Sequence, residues 1–315
     1  MSLFVTYFLL AAPLFGIVLA GYLLALWPRW PKTWTMWASK FVFNVALPAM
    51  LFHLMSGMGS MPPLNGGVLL AFFGGCFIIF ALGRMLAARF FNLDSTAQSV
   101  FAMGGIFSNN VLLGLPMARI TLGETALPAA ALVIVFNAFT LWTLVSISIE
   151  WSKHGSFTVK GIGKMALGVI TSPLVAGIVF GTLFSLSGLK MPSLVDRALD
   201  LLSSVAGPGA LLILGMGLVQ YGIRSGWQHS VAITTIKLIA FPLTVWALAT
   251  LLGLHPIETK AIVLLASMSV GANVYLMSIQ FKTMQSAIAS GMVLSTAAAA
   301  VTTPLLLTAM DLVIG

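Results

Sequence analysis

Residues 104–116 read "GGIFSNNVLLGLP" and lie in the middle of a long apolar run. Glycine and proline weaken a helix ladder, and Ser and Asn side chains compete with the backbone for its hydrogen bonds. Irregular backbone at membrane depth is tolerated only where protein buries it or it lines a watery cavity. The stretch therefore predicts a membrane helix interrupted at a functional site.

The composition around it supports a membrane setting. Of 315 residues, 59% are hydrophobic and 7% charged, with a mean hydropathy of +1.07. A soluble domain carries about 25% charged residues. Apolar segments of spanning length fall at 3–26, 38–56, 66–88, 97–120, 126–149, 164–187, 198–221, 229–252, 258–280 and 286–310. The expected fold is an all-α membrane protein of ten transmembrane helices. Its longest polar connection, 150–164, separates a first half (1–150) from a second (151–315). No charge precedes the run Leu3–Leu26, which is too long for a signal-peptide core and reads as the first span. Cys76, in an apolar segment, predicts neither a disulfide nor a metal site.

Loop charge sets the orientation. The odd-numbered loops and their flanks hold Arg29, Lys32, Lys40, Arg84, Arg89, Lys153, Lys160, Lys164, Arg224 and Lys282; the even ones hold Arg119, Lys190, Arg197 and Lys260. Positive charge stays in the cytoplasm, so both termini are expected on the periplasmic side. The net charge of +8 is accounted for by this bias and does not point to nucleic acid.

A repeat runs through the chain. Shifted by 160 residues, "AAPLFGIVLAGYLL" (11–24) overlies "TSPLVAGIVFGTLF" (171–184), matching Pro13 with Pro173 and Gly21 with Gly181. In the same register "NVALPAML" (44–51) overlies "SVAGPGAL" (204–211), matching Pro48 with Pro208, and a shift of 163 pairs Asn110-Val111 with Asn273-Val274. Five spans per half is an odd number, so the halves are inverted. Inverted repeats are a transporter architecture, with the binding site near mid-membrane between the halves.

The counterpart of the opening stretch is "ASMSVGANVYLM" (266–277), in the centre of span 9. Two interrupted helices at corresponding positions point to a transport site. Each break frees the first amides of the downstream half-helix, where the dipole adds partial positive charge. Ser108, Asn109, Asn110, Gly271 and Asn273 are the expected binding residues, the asparagines capping the half-helices or offering amides to an anion. Pro48 in span 2 and Pro208 in span 7 are expected kinks, Pro48 freeing the carbonyl of Asn44, with Asn44 and Ser204 facing the cavity. Lys237 is the formally charged residue placed well inside a span. It could attract an anion, stand in for a bound cation at carbonyl ends, or snorkel to the interface.

Other chemistries find little support. All seven acidic residues lie in loops or at span ends, against cation coupling through an intramembrane carboxylate. There is no phosphate-binding GxxxxGK[ST] loop and no HExxH. Ser108 lacks a base to make it a nucleophile, because His53 lies near the outer end of span 2. A channel would want a continuous polar stripe, whereas the polar groups cluster at one depth.

The chain resembles the auxin efflux carrier family, whose bacterial members include malonate and malate transporters by name. The resemblance covers essentially the whole chain. It rests on "FVFNVALPAMLF" (41–52), on the Asn-containing fourth span followed by "GLPMARITLGETAL" (114–127), on "IKLIAFPL" (236–243) and on "TTPLLL" (302–307). It implies the fold shared with sodium/proton antiporters and bile-acid transporters. In that fold, spans 4 and 9 cross at breaks carried here by Asn109, Asn110 and Pro116, and by Gly271, Ala272 and Asn273. It further implies a scaffold domain (spans 1, 2, 6, 7) and a transport domain (spans 3–5, 8–10) moving as an elevator. The chain departs from plant members in using Gly271 where they carry a proline, and in its short central loop.

The resulting expectation is a secondary transporter of small organic carboxylates in a bacterial inner membrane, with malonate or malate first and an aromatic monocarboxylate second. The alternatives are a Na⁺-coupled organic-anion symporter and a ligand-binding membrane sensor that does not transport. No cofactor or metal is expected. The expected partners are the anion and the lipid bilayer, with a homodimer allowed.

Overall fold

The computed structural model describes residues 2–57, 65–154, 173–221 and 226–314. The described residues are helical and contain no strand beyond one isolated bridge. Seven helices are long and apolar enough to cross a membrane: Leu3–Leu26, Thr33–Ser56, Gly67–Phe91, Glu124–Ile149, Ser193–Val219, Trp227–Leu251 and Gln285–Ile314. The expected spans 97–120 and 258–280 are each a pair of half-helices. The expected span 164–187 begins outside the described residues, and its described part is helix Pro173–Leu186.

In chain order the elements are α1 (Leu3–Leu26); α2 (Lys32–Phe41), a π turn (Val42–Ala46) and α3 (Leu47–Ser56); α4 (Gly67–Phe91); α5 (Ser95–Ile106), a second π turn (Asn110–Gly114) and α6 (Leu115–Leu122); and α7 (Leu127–His154). There follow α8 (Pro173–Leu186); α9 (Ser193–Tyr221); α10 (Trp227–Thr235), a third π turn (Ile236–Ala240) and α11 (Phe241–Leu251); α12 (Pro256–Ala266); α13 (Ala272–Gln280); and α14 (Gln285–Ile314). Local chemistry sets the ends. Asn92 closes α4 in the left-handed conformation, at φ 48°. Asp94 then opens α5 by accepting from Thr96 N and Ala97 N at 2.9 and 3.0 Å.

Each π turn is followed directly by a residue and then a proline: Leu47-Pro48, Leu115-Pro116 and Phe241-Pro242. A proline ring clashes with the carbonyl four residues back. Widening the helix avoids the clash, because the residue before each proline bonds five residues back: Leu47 to Val42, Leu115 to Asn110, Phe241 to Ile236. Span 2 was expected to kink at Pro48; it absorbs the proline as a wider turn instead. Pro208, matched with Pro48 in the repeat, sits in α9 without a π turn, so the halves treat these prolines differently.

Because α1 is apolar on all sides, composition does not mark its packed face. Burial does: Ala11, Leu14, Val18 and Gly21 are buried, while Leu9, Leu19 and Leu23 are exposed. The buried stripe packs on α9, and α3 packs on α8. Without a hydrophobic force between helices in lipid, small residues let backbones close up. A Cβ on Gly21 would collide with the Leu212 carbonyl, and one on Gly215 with the Val18 carbonyl. On the second seam, Gly177 lies against Pro48 and Gly181 against Phe52. Gly21 and Gly181, which share the 160-residue register, thus hold equivalent places in two helix pairs. The remaining helices pack around the broken segments: α4 on α5 and α11, α10 on α5 and α14, and α12 on α4, α6, α7 and α11.

Gly21→Leu and Gly181→Leu are each expected to lower stability by about 3 kcal/mol, the upper end of overpacking. Gly16→Leu in the same helix, where nothing lies within 4 Å, should be neutral. Thermal unfolding in detergent, followed by size-exclusion profile, distinguishes them.

Candidate functional site

The two breaks touch. α5 stops at Ile106 and α12 at Ala266, and the connecting residues run extended past one another. Asn109 N donates to Ser269 O at 2.9 Å and Gly271 N to Phe107 O at 2.8 Å, an antiparallel bridge centred on Ser108 and Val270. Each break thereby satisfies amides that the other exposes, as a water-free setting demands. Gly271 is required by this approach and not by its own dihedrals, which are extended at φ −75° and ψ 147°. A Cβ there would lie 3.0 Å from Ser108 O and 3.1 Å from Phe107 Cδ1. Helix α14 holds the other side: Ser295 Oγ accepts from Val270 N at 3.0 Å, and Thr303 Oγ1 donates to Ser267 O at 3.3 Å.

Around this bridge the side chains are not satisfied. Ser108 Oγ, Asn109 Nδ2, both polar atoms of the Asn110 amide and Ser269 Oγ are buried without a hydrogen-bond partner. Native proteins leave few such groups, and each costs roughly 1–3 kcal/mol. The expected capping role is not what the asparagines perform. Asn109 occupies the N-cap position of its π turn, but its side chain makes no cap bond, and its own N–H goes to the neighbouring break. Asn273 is half-buried on the first turn of α13.

Asn137 joins this set, and the sequence reading passed over it. Ser99 Oγ on α5 lies 2.9 Å from Ser148 Oγ on α7, which fixes the antiparallel register of the two. Eleven residues on from Ser99 is Asn110, and eleven back from Ser148 is Asn137. Asn137 lies on the part of α7 that runs towards the break, buried, with its Oδ1 unpartnered. The signal available in sequence was a lone amide in an otherwise apolar span.

Lys237 does not snorkel. It is fully buried, and Nζ donates to Ala266 O, the last carbonyl of α12, at 2.5 Å. The ammonium also lies 4.8 Å from the centre of the Phe241 ring. A lysine here puts a full positive charge where the half-helix ends in unpaired carbonyls and partial negative charge. Of the three roles left open by sequence, neutralising a carbonyl end matches the geometry.

Past the second π turn is a cavity of about 500 Å³ between α1, α3, α6 and α9, whose wall on this span starts at Leu115 and includes none of the bridge residues. Its wall includes Leu115 and Pro116, just past the second π turn, with Pro13, Ser204 and Pro208 facing them. Ser203 also lines it, with an unpartnered Oγ. The mouth, where α3 and α6 end, is charged. His53 sits 3.1 Å from Asp196 and 3.5 Å from Asp200, and Arg119 pairs with Glu124 at 2.7 Å. Asn44, expected to face this cavity, does not line it. Val42 and Ala46 turn into the bundle, which leaves Asn44, two positions from each, exposed on the opposite side. Among the described residues no cluster of His, Cys, Asp or Glu could hold a metal.

Residues 7–307 match the family described as "Membrane transport protein". A protein of Rhizobium meliloti named "Putative malonate transporter" is 27% identical over 279 residues, which is 86% of each chain. An uncharacterized transporter of Methanocaldococcus jannaschii is 24% identical, over 80% of this chain and 82% of its own. With two interrupted apolar helices joined at their breaks and a family match over nearly its whole length, the chain is a member of the auxin efflux carrier family of membrane transport proteins.

Proposed function

We propose that this chain is a secondary transporter of small organic anions, built from ten spans in two inverted halves and binding its substrate where spans 4 and 9 cross. The observation that carries this reading is the set of buried, unpartnered polar atoms gathered at the paired breaks. The Nδ2 groups of Asn109 and Asn110 and the hydroxyls of Ser108 and Ser269 offer a carboxylate hydrogen bonds that folding leaves unmade. The half-helices beginning at Asn110 and Ala272 add positive dipole ends. The apolar cavity supplies a path from one membrane face. Malonate is the first substrate to try, given the relative's name, and an aromatic monocarboxylate the second.

The body that carries both breaks moves against the scaffold of α1–α3, α8 and α9, whose two glycine seams support treating it as a unit. Loop charge favours a bacterial inner membrane with both termini in the periplasm. Lys237 favours transport without a coupled cation, because its ammonium already takes the carbonyl end where Na⁺ would otherwise serve. Export of an anion then draws on the membrane potential, about 2.3 kcal/mol per charge per 100 mV.

Uptake and counterflow of radiolabelled malonate in proteoliposomes test the reading. Flux that follows an imposed potential without Na⁺ is expected; a strict requirement for Na⁺ would replace the uncoupled mechanism, and binding without flux would make the protein a sensor. Asn109→Ala and Asn110→Ala should each weaken malonate binding about 10- to 100-fold, the worth of a hydrogen bond to a charged group. Their thermal midpoints should stay at or above wild type, since each removes an unsatisfied polar group. Wild-type affinity in both variants would rule out the paired breaks as the site. Lys237→Gln should make flux weaker by about tenfold and less responsive to potential, and unaltered flux would reduce Lys237 to a packing role.

A further inference from the structure

Among the described residues, the polar side-chain contacts that matter here lie within one helix group or the other, except at Tyr7. His53 with Asp196 and Asp200 joins α3 to α9, inside the scaffold. Arg119–Glu124 and Ser267–Thr303 lie inside the other group. Tyr7 on α1 is different. Its hydroxyl donates to Asp311 Oδ2 on α14 at 2.5 Å. The other oxygen of Asp311 pairs with Lys260 Nζ on α12 at 2.6 Å, and both partners of that ion pair are mostly buried. α12 is the half-helix that ends at Ala266, beside the bridge.

The seam these residues sit on also differs from its neighbours. α1 is locked to α9 by backbone contact at Gly21 and Gly215. α14 carries one glycine, Gly291, and it faces α10 at Ile233 and Ser230. The α1–α14 seam thus has no glycine of α14 locked against a facing backbone, and Tyr7 ties it.

Resting on the moving-body reading above, we infer that Tyr7–Asp311–Lys260 is a conformational latch that holds the present arrangement, with its cavity open where α3 and α6 end. The division of labour follows from the chemistry. Asp311 and Lys260 ride on the same body, so their ion pair persists through the movement. The phenol–carboxylate bond spans the two bodies and must break at each stroke. Being charge-assisted, it is about twice as strong as a neutral hydrogen bond. It weights the equilibrium towards this state without touching the substrate.

The test uses the full chain in lipid nanodiscs, with Leu23→Cys on α1 and Leu312→Cys on α14 carrying spin labels in a Cys76→Ala background. Both leucines are exposed, at 56% and 75%. Tyr7→Phe deletes the crossing bond and leaves the ion pair. It should raise the population at the second label distance relative to the first by about tenfold, with an unchanged size-exclusion profile. Two distances in wild type with the same ratio in Tyr7→Phe would overturn the latch and leave the moving-body reading standing. A single, identical distance in both proteins, unaltered by malonate, would overturn both.

Discussion

Two backbone hydrogen bonds, Asn109 N to Ser269 O and Gly271 N to Phe107 O, are what the rest of this molecule is arranged to permit. A helix cannot stop in the middle of a bilayer unless its freed amides and carbonyls find partners. Here the partner of one break is the other break. Everything near by follows from keeping them in register: a glycine at 271 because no side chain fits, hydroxyls on α14 to take the remaining backbone groups, and a lysine against the terminal carbonyl of α12. Once the backbone is settled in this way, the Ser and Asn side chains at the breaks are left with nothing local to do.

That division between a satisfied backbone and unsatisfied side chains is what makes the place suited to binding. Had Asn109 and Asn110 capped the half-helices, their amides would have been spent on structure. Neither makes a cap bond. The same logic applies to charge. A buried ammonium with no counter-ion would be prohibitive at mid-membrane, but the C-terminal end of α12 and the face of Phe241 offset it. On the proposed reading, the site so formed is positive in tendency without presenting a free cation, which would suit an anion that must also leave.

Seven of the expected spans and both breaks were legible in the sequence, because hydropathy and clusters of Gly, Ser and Asn report directly on lipid exposure and helix interruption. Lys237 stood out in the sequence as a charge inside a span but its partner did not, since Ala266 contributes only a carbonyl, which every residue has. Asn137 went unread because its meaning lies in register with α5, a relation between segments. Asn44 was misplaced for a related reason: in lipid every face of a helix is apolar, so composition does not show which side turns inward. Small residues did carry that information, in the glycines at 21 and 181, although only contact with the facing backbone gives them their sense.

The widened turns before Pro48, Pro116 and Pro242 bear on how such a chain can change length. A π turn is helix with one residue more than the α winding needs. Losing a residue elsewhere in a span would rotate everything beyond it by about 100° and unseat every contact on that side. Losing one from Val42–Ala46, Asn110–Gly114 or Ile236–Ala240, with the proline replaced by another residue, would simply return the helix to ordinary pitch, with both flanks still facing as they did. Proline and surplus residue therefore form one heritable unit, and an ungapped comparison of such spans would slip by one position at each of the three places.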